Sequence, residues 1–351
     1  MFTWKRHKDI FKGEGIYHLT FVVLNRKPIL GTLQMEGGEA QMIPSALGRA
    51  ISRDLSALHH RRPYCRLLAK QLMPDHIHVL IWITADCGVS VKEIARGMLQ
   101  GWRKLAALES GTLATHGAVD INRQMPSAEI YKQPPLFSVP FLRTLSRKGQ
   151  LNRMIAYIHD NPRRAMLLRL NPDLFRLRRE VQAEGLTFTA LGNLFLLDYP
   201  QRQSVECSRS AAAERIAAQQ EAVMQAATEG AVTFSGAVSA GEKQIVRAVR
   251  EAGLPVVVLL NDGFPPAGSE HEKYYRPGGV YFEACAAGRL LLLEATEATL
   301  CDPRVATLTD RTLRQKAEAR HQDNVPLPHT SLRWRMMANN TLVGILTGER
   351  Q

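Results

Sequence analysis

The chain has 351 residues, 45% of them apolar, and a formal net charge of +12 at pH 7. That length suits two domains with separate cores, and no apolar run approaches the roughly 20 residues of a membrane-spanning helix. No apolar signal core follows the basic start, and the five scattered cysteines form no Cys-x-x-Cys pair. A secreted disulfide scaffold and a zinc ribbon are therefore excluded, and a cytoplasmic protein with reduced thiols is expected.

The charge is uneven. Residues 1–180 hold 28 Lys and Arg against 14 Asp and Glu, a net of +14, and the remainder has a net of −2. The first half thus has the electrostatic footprint of a polyanion-binding domain joined to a nearly neutral one.

In chain order, residues 16–24 are β-branched and aromatic and predict a first strand. Residues 44–58 carry Leu47, Ile51, Leu55 and Leu58 at helical spacing. Residues 64–72 predict a second strand, Pro74-Asp75 a tight turn, and residues 76–83 an antiparallel third strand. A long amphipathic helix is predicted over 91–108 and a loop over 110–135. A helix over 150–160 is followed by a shorter one opened by Asn161-Pro162. This β-α-β-β-α order predicts an α+β, ferredoxin-like domain over 1–182, an antiparallel sheet with helices on one face.

Residues 183–228 read as a linker and helix, the helix over 208–227. From 229 to 351 a smaller α/β, Rossmann-like domain with a C-terminal tail is predicted. Its strands are 232–234, 255–260 and 290–293, with helices at 243–251 and 280–287 between them.

Two segments carry chemistry. In Met73-Pro74-Asp75-His76-Ile77-His78-Val79-Leu80-Ile81-Trp82, strand alternation sends His76 and His78 to one face and Ile77, Val79 and Ile81 to the other. Two imidazoles so placed can share a divalent metal, or can simply be polar residues on a wet strand face. In Ala156-Tyr157-Ile158-His159-Asp160-Asn161-Pro162-Arg163-Arg164-Ala165, Tyr157 and Asn161 lie one helical turn apart. A tyrosine phenol can attack a phosphodiester, and a metal offsets its weak nucleophilicity. Asn161 suits either a carbonyl metal ligand or a helix N-cap before Pro162. Tyr157 suits either a nucleophile or a core position.

These motifs, with Tyr17-His18-Leu19-Thr20-Phe21 before them and residues 135–143 between them, resemble the REP-associated tyrosine transposases, members of the HUH single-tyrosine class. The resemblance covers about residues 10–180. It implies a nuclease that cuts and joins single-stranded DNA at hairpins of palindromic repeats through a 5′-phosphotyrosine link. By that resemblance Tyr157 is the nucleophile, and His76, His78 and Asn161 hold Mg²⁺ or Mn²⁺. Arg96, Arg103, Lys104, Arg143, Arg147, Lys148, Arg163 and Arg164 are candidate phosphate contacts. Trp82 and Trp102 are candidates for base stacking or for the core.

The second half departs from that family. Residues 232–242 and 256–264 resemble the Rossmann-like core of DNA-processing protein A and its nucleotide-binding relatives. There Ser235, Gly236 and Ser239 suit either a phosphate-binding turn or a purely structural one, with a nucleotide as the implied partner. Asp262, Glu270 and Arg276 are further candidate contacts, at the sheet edge where ligands gather. A domesticated hairpin-binding protein that no longer cuts, and a nucleotide sensor acting through the second domain, are the rival functions. Monomer and homodimer both fit.

Overall fold

The computed structural model describes residues 11–85, 88–110, 135–319 and 327–350. The expected loop over 110–135 therefore falls almost wholly outside the described residues. The chain divides into two units, Met1–Arg169 and Leu170–Gln351. No helix among the described residues is long and apolar enough to cross a membrane.

In the first unit the elements are β1 (Gly15–Val22), β2 (Gly31–Glu36), β3 (Glu39–Pro44), α1 (Ala46–Ser56) and α2 (Leu58–Arg61). Then come β4 (Cys65–Leu72), β5 (His76–Ile83), α3 (Val91–Glu109), β6 (Phe141–Leu145) and α4 (Gln150–Leu170). Four strands form an antiparallel sheet in the order β4-β5-β1-β6. With α1 and α3 as connections, this is the split β-α-β ferredoxin-like arrangement. The β2–β3 hairpin forms a separate two-stranded sheet around Gly37 and Gly38, both at positive φ as a tight hairpin turn requires.

Strand parity decides what each face of the sheet does. Tyr17, Leu19 and Phe21 of β1 join Ile77, Val79, Ile81 and Ile83 of β5 in one core, which α1 and α3 cover through Ile51, Leu55, Ile94 and Trp102. Trp102 is fully buried and donates its indole N–H to Asp54, so it serves the core and not base stacking. The opposite parity holds His18, Thr20, His76 and His78. The expectation of helices on one face needs a correction: α4 lies on this second face, where Ile158 packs with Ala69 and Leu80.

A second correction concerns α4 itself. Instead of ending before Asn161, one helix runs from Gln150 to Leu170 with Pro162 inside it. Proline has no N–H for the carbonyl of Ile158, four residues earlier. The Asn161 side-chain amide instead donates to the carbonyls of Tyr157 (2.8 Å) and Ile158 (3.3 Å). Asn161 therefore bridges the gap that Pro162 opens, and it does not begin a new helix.

The second unit contains β7 (Arg178–Ala183), β8 (Leu186–Gly192), β9 (Arg202–Val205), α5 (Ala213–Thr228), β10 (Val232–Ser235), α6 (Ala240–Glu251) and β11 (Val256–Leu259). It continues with α7 (Glu270–Tyr274), α8 (Gly279–Ala286), β12 (Leu290–Ala295), α9 (Glu297–Leu300), α10 (Pro303–Glu318) and α11 (Leu332–Leu346). The stretch expected as a linker and helix, 183–228, holds that helix as α5 and also supplies β8 and β9 to a six-stranded sheet ordered β7-β8-β12-β11-β10-β9. The unit is no smaller than the first, and its boundary falls after 169 and not after 182. Polar Arg, Glu, Gln and Ser residues at the sheet edges hide β7 and β9 from a search for apolar runs.

The strands β9 to β12 are parallel and adjacent in chain order, while β8 and β7 run antiparallel at one edge. A Rossmann sheet reverses its strand order and opens a crevice at the reversal. This sheet has no such reversal, so the expected Rossmann-like topology is corrected to a mixed sheet wound in one direction. The expected C-terminal tail is structural as well. Trp334, Ala338 and Leu342 of α11 and Val305 of α10 pack with Phe234, Val257, Leu259, Leu291 and Leu293.

Candidate active site

Alternation along β5 puts His76 and His78 on the face that α4 covers, while their neighbours Ile77 and Val79 are fully buried on the other side. The two rings lie edge to face with centroids 5.0 Å apart. Tyr157 of α4 brings its ring to 5.7 Å from His78. It remains 39% exposed while its ring leans on the site. The Arg164 guanidinium lies 5.8 Å from the Tyr157 ring centre on the next turns of the same helix.

Each histidine is held through Nδ1. His76 Nδ1 lies 2.6 Å from Asp75 Oδ1, and Arg26 holds the other carboxylate oxygen at 3.0 Å. Burial pushes the Asp75 carboxyl up, but the His76 ring and the Arg26 guanidinium outweigh it and hold it below the usual carboxylate range. His78 Nδ1 lies 3.0 Å from His18 Nε2 and 3.1 Å from Thr20 Oγ1. Burial lowers His78 to about 3, helped by the charges of His76 and His18 and opposed by Asp75. Burial lowers His18 to about 4, and Arg143 adds to it from across the sheet, where β6 pairs it with His18. Both rings are therefore neutral at pH 7.

His18 is the site residue that the sequence reading missed. The signal was present: His18 and Thr20 alternate with Tyr17, Leu19 and Phe21, which mirrors His76 and His78 among Ile77 and Val79. Antiparallel pairing then sets Thr20 opposite His78.

A metal-binding imidazole commonly donates its other ring N–H to an acceptor. Asp75 beside His76 Nδ1 meets that condition and leaves Nε2 with a lone pair. His78 has acceptors available at Nδ1 in the same way. The residues thus fit a seat of two imidazoles. Among the described residues, no group of three or more His, Cys, Asp or Glu is arranged to hold a metal ion. The Asn161 amide nitrogen is committed within α4, so any contribution from Asn161 is confined to its carbonyl oxygen.

The candidate phosphate contacts separate by element. Arg143 is on β6 directly across from His18, Arg147 and Lys148 precede α4, and Arg163 and Arg164 lie on α4. Arg163 also forms a bidentate pair with Asp160. Arg96, Arg103 and Lys104 are on α3, which covers the other face. Trp82 shares the parity of His76 and His78 and is 44% exposed.

In the second unit, the turn after β10 does not offer a phosphate cradle. The Ala237 N–H donates to Ser235 Oγ, and the Val238 and Ser239 N–H groups donate to Glu242 Oε2. Ser239 caps α6 by accepting from the Glu242 N–H. The buried Glu242 carboxylate also accepts from the Cys207 N–H. The chain's own anion thus fills the place proposed for a phosphate at Ser235, Gly236 and Ser239, and it would repel a second anion. Asp262 lines a cavity of about 40 Å³ with Asn261, Glu294, Arg335 and Asn339, whereas Glu270 and Arg276 line a separate cleft of about 410 Å³ with His271 and Tyr275.

The first unit is thus an antiparallel α+β domain with a histidine pair beneath a tyrosine helix. No protein-family model matches the chain, and no curated protein matches it. Among solved structures it is similar to a REP-associated tyrosine transposase bound to a REP hairpin, at 12% identity and a TM-score of 0.30, over 47% of this chain and 74% of that one. It is also similar to a candidate transposase from Deinococcus radiodurans R1, at 14% identity and a TM-score of 0.23, over 46% of this chain and 98% of that one. Likeness at these scores defines neither fold nor function for this chain.

Proposed function

We propose that the first unit cuts and rejoins single-stranded DNA by transesterification, with Tyr157 as nucleophile and His76 and His78 as the seat of a divalent ion. The observation that carries this reading is the placement of the Tyr157 ring 5.7 Å from His78, itself 5.0 Å from His76. A partly exposed tyrosine beside two imidazoles can reach a phosphodiester from solvent while the imidazoles remain available as ligands.

In the reaction, Tyr157 Oη attacks phosphorus and the bond from phosphorus to the 3′ oxygen breaks. The phenol proton passes to solvent and the departing 3′ oxygen takes one up. The 5′-phosphate stays on Tyr157, and attack by a 3′ hydroxyl reverses the step and rejoins a strand without a nucleotide cofactor. When bound, the divalent ion would withdraw charge from the phosphate and stabilise the leaving oxygen. Two nitrogen donors suit Mn²⁺ better than Mg²⁺, which prefers an all-oxygen shell. Arg143 opposite His18 and Arg164 beside the Tyr157 ring put positive charge near the site, and Arg147, Lys148 and Arg163 add more on and just before α4, the charge expected of backbone positioning.

A hairpin-forming oligonucleotide labelled at its 3′ end, incubated with Mn²⁺, should give a labelled covalent adduct that survives denaturing electrophoresis. Tyr157→Phe should abolish the adduct. Undiminished adduct from that variant would falsify the assigned nucleophile.

A further inference from the structure

We infer that His18 is a positioning residue: it holds the His78 ring with its hydrogen on Nδ1, so that the His78 Nε2 lone pair faces the site. This inference rests on the reading of His78 as a site residue, but its first test needs neither metal nor DNA.

The geometry is specific. His18 and Thr20 are alternate residues of β1, on the face that carries His76 and His78. Both reach the same atom, His78 Nδ1, at 3.0 Å and 3.1 Å. His18 and His78 are 6% exposed each, and their rings stack with centroids 5.1 Å apart. A hydrogen bond between the two ring nitrogens needs a single hydrogen between them, on one side or the other.

An imidazole nitrogen has either one N–H or one in-plane lone pair. A lone pair would have to serve two donors that crowd each other from His18 and Thr20. An N–H can be shared between two acceptors in a three-centre bond, which proteins use readily. The convergence of two partners on one nitrogen therefore points to Nδ1–H on His78, with His18 Nε2 and Thr20 Oγ1 accepting. His76 reaches the same tautomer by a different device, the Asp75 carboxylate at 2.6 Å.

The difference between the two acceptors has a consequence. A carboxylate behind His76 adds negative charge to the site, whereas a neutral imidazole behind His78 fixes the ring and adds none. The pair is thus oriented at the expense of only one counter-charge, which preserves the attraction of a bound cation for phosphate.

The test is a long-range proton–nitrogen correlation spectrum of full-length, metal-free protein labelled with ¹⁵N-histidine, with His78 assigned from its absence in His78→Gln. Wild type should show His78 protonated on Nδ1. His18→Gln, which retains an acceptor oxygen, should keep that tautomer. His18→Leu should shift His78 towards Nε2–H and weaken Mn²⁺ binding roughly 10- to 100-fold, the usual loss when a ligand's hydrogen-bond partner is removed, read from the electron paramagnetic resonance signal of free Mn²⁺. His78 protonated on Nε2 in wild type overturns the inference even if the leucine variant fails to fold. So does an unchanged tautomer in a folded His18→Leu. Failure of wild type to bind Mn²⁺ would count instead against the metal seat, and the nitrogen spectrum would still decide the role of His18.

Discussion

At the scale of single residues, the environment assigns roles that residue type leaves open. His76 and His78 are the same residue on the same strand, yet one is tied to a carboxylate and the other to a second imidazole. Asn161 was legible as a polar residue one turn from Tyr157. Its amide nitrogen is committed to the carbonyl of Ile158, which Pro162 leaves without a donor, and to that of Tyr157 beside it, because a buried C=O must find a partner somewhere. The cysteines show the same dependence. Cys285 is fully buried, and burial pushes its thiol up to about 12, so it stays protonated and unreactive across the ordinary range of pH. Cys301 is exposed. Native protein treated with a maleimide at pH 7 to 9 and digested for mass spectrometry should carry label on the Cys301 peptide and none on the Cys285 peptide. Labelling of Cys285 that rises steeply below pH 9 would contradict that environment.

At the scale of elements, the strongest apolar signals marked β1, β5, β10, β11 and β12, because fully buried strands must be apolar over most of their length. Elements with half-polar patterns were missed: β2, which is mostly exposed, β3, whose residues alternate between exposed and partly buried, and β7 and β9 at the edges of the second sheet. The Glu36-Gly37-Gly38-Glu39 turn was the readable signal for the hairpin. The turn between β10 and α6 teaches the converse. Its small residues suggested an anion site, and an anion does occupy it, but the anion is Glu242. Glu242→Ala should leave the N–H groups of Cys207, Val238 and Ser239 without that acceptor. A buried donor left unsatisfied costs about 1–3 kcal/mol, so the loss should be about 3 kcal/mol or more, read from urea unfolding. A cost under 1 kcal/mol would mean that the turn does not depend on the carboxylate.

At the scale of the whole molecule, each of the two units has a large core built around one indole, Trp102 in the first unit and Trp334 in the second. Each indole N–H is satisfied by an aspartate, Asp54 for Trp102 and Asp310 for Trp334. Trp334→Ala should destabilise the chain by about 3–5 kcal/mol, as large-to-small changes in a core do. Under native conditions it should still allow adduct formation, because Tyr157, His76, His78 and His18 all belong to the first unit. Complete loss of the adduct in folded Trp334→Ala would show that the site depends on the second unit. The sequence by itself determined the division of charge, the histidine pair, the tyrosine one turn from Asn161, and the antiparallel α+β class of the first half. Those features follow from local periodicity and composition, which act over a few residues. The tertiary structure alone decided that α4 covers the histidine face, that His18 stands behind His78, that the parallel strands wind in one direction, and that Glu242 fills its own turn. Each of these depends on which distant segments pair or pack. Burial then sets the cost of every unsatisfied polar group, and that cost is invisible until the neighbours are known.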